Sequence, residues 1–147
     1  MISMKTGAGL VCGALVLAAA CAALAQAPAG GVASAGVYSA AQAARGADLY
    51  ANTCARCHGP SKEGLDVAPP LTGPRFMGNW TSQSVGALAA RIRTSMPLDM
   101  PGTLGLTASA ELAADILAAN GYPAGAADMP TGSQALQQLT IDAPPAK

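Results

Sequence analysis

Two cysteines three positions apart and the chain's single histidine stand together as Cys54-Ala55-Arg56-Cys57-His58. Thiols at this spacing share one helical turn, so they can meet two substituents along one edge of a planar macrocycle. A histidine directly after the second thiol can then turn its imidazole toward an iron at the macrocycle's centre. C-x-x-C-H is accordingly the attachment pattern of a c-type haem, held through Cys54 and Cys57 and ligated by His58. Three other chemistries compete for these residues. A thioredoxin-like dithiol needs a strand-helix-strand setting, which the flanking segments lack. A zinc site needs four ligands, and no second histidine exists to help complete them. A plain disulfide is permitted in an exported chain.

The solitary histidine excludes any site that needs a second imidazole. It passes the opposite axial position to methionine, the His/Met pairing that raises the reduction potential of electron-transfer haems. Downstream of the leader the candidates are Met77, Met96, Met100 and Met129. Methionine also serves as flexible core filler. Met96 and Met100 share a loop, and each is followed by a proline that stiffens the backbone. Spacing alone leaves both open.

Elements must place these residues, and the chain has 147 positions for doing so, 51% hydrophobic and 11% charged. Residues 1–25 read as an export signal rather than fold: Lys5, an apolar run from Leu10 to Ala25, and the small-x-small site Ala23-Leu24-Ala25. The run is short for a membrane span. A retained anchor helix and lipid attachment at Cys21 are the alternatives. Membrane attachment is expected only if Cys21 is lipidated, and the destination is the periplasm. Without the leader, seven basic side chains face eight acidic ones, which gives no electrostatic reason to expect nucleic acid or an anionic membrane as partner. Only 29 apolar side chains larger than alanine remain in residues 26–147. That is a thin core for one domain, and a cofactor is the expected filling.

Residues 26–37 are Ala, Gly, Pro and Ser without a period and read as a flexible linker. The domain follows over 38–126. Ser39 with Gln42 forms a capping-box pattern opening a first helix to about Thr53. Residues 59–81 are rich in Pro and Gly and read as a long loop covering something. Val85, Leu88, Ala89 and Ile92 mark an amphipathic helix running to about Ser95. Thr107 is a cap for a last helix carrying Leu112 and Ile116, which Asn120-Gly121 and Pro123 terminate. Residues 127–147 read as a mobile tail, with a possible helical turn at 135–139. The class is all-α.

Cys54 to His58, Pro70-Leu71-x-Gly73, Thr94-Ser95-Met96-Pro97, Pro101-Gly102-Thr103-Leu104 and Asn120-Gly121-Tyr122-Pro123 together resemble a class I c-type cytochrome. The likeness is to the small periplasmic cytochromes, and cytochrome domains, that accompany quinoprotein dehydrogenases. It implies three to four helices wrapped around one covalent haem. It implies Met96, from the Met-Pro pair before Pro-Gly-x-Leu, as the ligand opposite His58. It also implies that the first and last helices cross at Gly46 and Tyr50. Here the chain departs from the pattern, because Asp115 stands where the last helix usually offers an aromatic. Trp80 and Arg75 lie in the segment expected near the haem propionates, where either could donate a hydrogen bond.

The resulting expectation is a monomeric electron carrier rather than an enzyme, passing electrons in a respiratory chain from a dehydrogenase, with the quinoprotein kind as the finer reading, to an oxidase or another cytochrome. Its docking edge would be Pro69, Pro70, Leu71 and Leu98. A haem enzyme or gas sensor with a labile sixth ligand is the alternative, although no distal histidine or placed acid supports it. A dithiol or structural module without haem is the third reading.

Overall fold

The computed structural model describes residues 30–66 and 68–144. The leader expected over 1–25, with Cys21, lies outside the described residues, as do 26–29 and 145–147. Six helices make up the architecture: α1 (Ala40–Thr53), α2 (Ala55–His58), α3 (Gly73–Trp80), α4 (Val85–Ser95), α5 (Leu106–Ala119) and α6 (Ser133–Gln137). Two strands of two residues each, β1 (Gly31–Val32) and β2 (Leu139–Thr140), pair in parallel. The class is all-α as expected. The long helices α1, α4 and α5 are the expected ones, and α2, α3 and α6 raise the number above three to four. Among the described residues no helix is long and apolar enough to cross a membrane.

α1 starts where the Ser39 hydroxyl accepts the Gln42 N–H at 3.0 Å, the N-cap bond that leaves one less orphan donor. The rest of the capping box is not made. The buried Gln42 amide instead accepts the Met129 N–H (2.8 Å) and donates to the Met129 carbonyl (3.2 Å). α5 begins at Leu106 with Gly105 as its cap and no side-chain bond, so Thr107 lies inside the first turn rather than capping it. Gly121, at φ +85°, ends that helix as the sequence signalled. α3 sits inside the stretch read as loop. Gly73, Pro74 and Gly78 depress its helix propensity, but Pro74 occupies the first turn, where a missing N–H costs nothing. Phe76 is buried and stacks on Trp80 with ring centres 6.1 Å apart.

α5 is the centre of the core, packed against α1 and α4. Leu112, Ala113, Ala114, Ile116 and Leu117 are all buried there. α1 crosses it closely: a Cβ on Gly46 would lie 2.0 Å from the Glu111 carbonyl oxygen. The ends complete the core. Ala33 and Tyr38 from one side, and Met129, Leu136, Leu139 and Ile141 from the other, are buried. Over the described residues, the linker expected at 26–37 and the mobile tail expected at 127–147 are thus corrected to packed segments. Their apolar residues have no local period because they pack on distant parts of the chain, β2 on β1 and α6 on α4.

Candidate functional site

Cys54 is the joint between two helices. Its N–H closes α1 on the Tyr50 carbonyl (2.8 Å), and its carbonyl accepts the N–H groups of Cys57 (3.1 Å) and His58 (2.9 Å), opening α2. Cys54, Cys57 and His58 therefore share one turn. Both cysteines are free thiols, Cys54 half-buried and Cys57 exposed. Burial pushes the Cys54 thiol up, and its contact with the Thr53 hydroxyl at 3.3 Å acts against that.

The His58 Nδ1 lies 2.8 Å from the Pro69 carbonyl oxygen. A carbonyl can only accept, so Nδ1 carries the hydrogen and Nε2 keeps its lone pair. This is the tautomer a metal-bound histidine holds, with ring orientation fixed from behind. The loop supplying Pro69 is itself tied down. Gly64 N–H donates to the His58 carbonyl (2.8 Å), Leu71 N–H to the Lys62 carbonyl (2.8 Å) and the Tyr50 hydroxyl to the Gly59 carbonyl (2.7 Å). Asn120, read from the sequence only as a helix stop, clamps the far end: it donates to the Leu71 carbonyl (2.9 Å) and accepts the Gly73 N–H (3.0 Å).

At the α1–α5 crossing, Asp115 does not loosen the contact. Its Oδ2 is 3.0 Å from the Lys62 ammonium, with side chains 8% and 11% exposed. That ammonium lies 4.2 Å from the centre of the Tyr50 ring, within reach of a cation–π attraction. A cation held between ring and carboxylate replaces the second aromatic. Burial pushes the Asp115 carboxyl up, and Lys62 opposes it. Asp115 was legible as an acid in an apolar stripe; nothing local marked Lys62.

The four methionines separate into two pairs. The Met77 sulfur accepts the Tyr122 hydroxyl at 3.8 Å, and Met129 is buried under Gln42. Met96 ends α4, half-buried, and Met100 is 55% exposed on the same loop. Arg56, between the two cysteines, pairs with Asp99 at 2.5 Å and so ties that loop to α2. Trp80 is half-buried against the core, and its indole N–H makes no hydrogen bond among the described residues. Arg75 is exposed on α3. A surface cleft lined by Gly73, Met77, Asn120 and Gly121 contains none of Cys54, Cys57, His58 or Met96.

These residues fit a c-type haem. Two free thiols share a turn with an imidazole of fixed tautomer, and a methionine loop is tethered beside them. Leu71 and Leu104 are only partly covered, while Leu65 and Leu98 are exposed, on the loops that follow α2 and α4. Among the described residues no cluster of three His, Cys, Asp or Glu could hold a bare metal ion.

The family model described as cytochrome c oxidase, cbb3-type, subunit III matches residues 41–118. No curated protein matches. Among solved structures, the sulfane dehydrogenase SoxCD of Paracoccus pantotrophus is similar, with 25% identity over 71% of this chain and 53% of that one, at a TM-score of 0.49. The chain thus spans about half the length of that relative.

Proposed function

We propose, from a chain that belongs to this family of c-type cytochromes, a mono-haem electron carrier exported to the periplasm, whose haem would be held by thioether bonds at Cys54 and Cys57 and ligated by His58 and Met96. When bound, the haem supplies a one-electron Fe(III)/Fe(II) couple. The observation that carries the reading is the His58 Nδ1 to Pro69 bond on the turn that bears both free thiols. The chain's own work is to keep that imidazole fixed, to hold Met96 at the end of α4, and to shed water from the apolar surround. Trp80 offers an unpaired N–H for a haem carboxylate, and Arg75 a charge at the rim. The role is that of a carrier between a dehydrogenase, of the quinoprotein kind in our reading, and a respiratory acceptor. Its docking edge is Pro69, Pro70, Leu71 and the 77% exposed Leu98. Charges near that edge are few, and Arg56 and Asp99 already neutralise each other. Docking is then apolar and brief.

The full chain matured in a periplasm should show low-spin haem bands, no ready CO binding in the ferrous form, and electron-transfer rates that change little with ionic strength. Met96→Ala should abolish the near-infrared methionine-to-ferric-iron band while Met100→Ala keeps it. The reverse result moves the ligand to Met100. Protein without haem bands sinks the reading, and a high-spin, CO-binding form turns it into a haem enzyme or sensor.

A further inference from the structure

We propose that Lys62 and Asp115 are positioning residues that set the reduction potential of the haem, as a buried pair of opposite charges tied to the loop that orients His58. The proposal rests on the haem reading above.

An ion pair is an expensive way to fill a helix crossing. Well-packed apolar side chains there are as stabilising or more so, and Tyr50 already supplies an apolar face. The pair sits where it can act on the site. Lys62 begins the loop segment that Leu71 closes, since the Leu71 N–H lands on the Lys62 carbonyl. Between them is Pro69, whose carbonyl holds the His58 ring. Below, the Lys62 ammonium is fixed by Asp115 and by the Tyr50 ring, and the Tyr50 hydroxyl reaches back to Gly59, the residue after His58.

The charges facing Asp115 are few. Lys62 comes from the loop, Tyr50 and Cys54 from α1 and its end, and Glu63 lies beyond Tyr50. Glu111, one turn earlier on α5, is turned outward to Arg45 at 2.7 Å. Among the described residues, Asp115 Oδ2 has no hydrogen-bond partner beyond the ammonium. A carboxylate at this place favours the ferric state and lowers the potential, and an ammonium does the opposite.

The opposite signs of the two charges make the test asymmetric. In the haem-loaded full chain, potentials from spectroelectrochemical titration should rise in Asp115→Asn, which leaves a bare ammonium. They should fall in Lys62→Met at alkaline pH, and there become pH-dependent as the lone buried carboxylate takes up a proton on reduction. Lys62→Arg should stay at the wild-type value. The double variant Lys62→Met with Asp115→Leu, which removes both charges, should lie between the two single variants with no pH dependence. Shifts of one sign in both single variants, a double variant outside the range the two single variants span, or Lys62→Arg moving as far as Lys62→Met overturns the proposal while haem bands persist. Absence of haem bands from the wild type itself overturns the reading beneath it.

Discussion

Two close backbone approaches hold this molecule together, and they lie in different regions. At the first, Gly46 of α1 sits against the Glu111 carbonyl of α5; at the second, Gly125 sits against the Gly36 carbonyl, and in each case an added Cβ would come within 2.0 Å of oxygen. The first lies within the family-matched residues 41–118 and holds the helix that ends in Cys54. The second lies outside them and joins the chain's two ends. Around it the ends are knotted by polar bonds: Tyr38 hydroxyl to the Tyr122 carbonyl at 2.5 Å, Ser34 N–H to Asp142 at 2.9 Å, and Arg45 to Asp128 at 2.5 Å. One region positions chemistry and the other completes the core beneath it. By this comparison the ends are structural parts of the domain and not accessories to it.

The same substitution placed in each region tests that equivalence. Leu112→Ala on α5 and Leu136→Ala on α6 both empty fully buried sites, so each should cost about 2–5 kcal/mol, read as the shift in urea midpoint of the haem-loaded chain. A cost near zero for Leu136→Ala would show that the ends fray freely and would break the comparison.

How legible each region was follows from the range of its interactions. Cys54, Cys57 and His58 are neighbours in sequence, so the haem pattern could be read without folding the chain. α1, α4 and α5 carry their own apolar period. The Gly46 crossing came through resemblance, and the structure keeps it. α3 was hidden because its glycines and proline speak against a helix, whereas Phe76 buried against the core decides for one. The ends were hidden for a different reason: Leu136 and Ile141 stand among Gly, Pro and Gln, and their partners, α4 for α6 and Ser82 and Gln83 for Ile141, lie far back along the chain. The Lys62–Asp115 pair combines both cases, with an acid that looked out of place and a lysine that did not.

Gln42 is where the two regions meet. It sits on α1, yet both ends of its buried amide serve the Met129 backbone. Gln42→Leu should cost about 1–3 kcal/mol, the penalty for leaving buried backbone groups unpaired. Amide exchange should speed up over residues 127–141 and stay slow along α5. Equal acceleration in both would mean that the crossing depends on the clasp, a sharper coupling than the packing alone implies.

Acid separates the regions most finely, because the carboxyls of Asp115 and Asp142 shift in opposite directions. Burial raises Asp115, so its folded form binds a proton more tightly than the unfolded chain does, and the stability linked to it is present at low pH and lost as pH rises through the folded value. Asp142 is pushed up by burial, but donation from the Ser34 N–H and hydroxyl outweighs this and holds it below the usual carboxylate range. Its contribution is present above the unfolded value of about 3.9 and is lost as pH falls through the folded one. The carboxylate is only half-buried, so the effect should be about 1 kcal/mol or less. Asp142→Asn should therefore weaken the protein at pH 7 and leave it close to wild type at strongly acidic pH, as measured by urea unfolding at both. A deficit of the same size at both pH values would assign the Ser34 contact to shape rather than charge, leaving the clasp without an acid-sensitive tie.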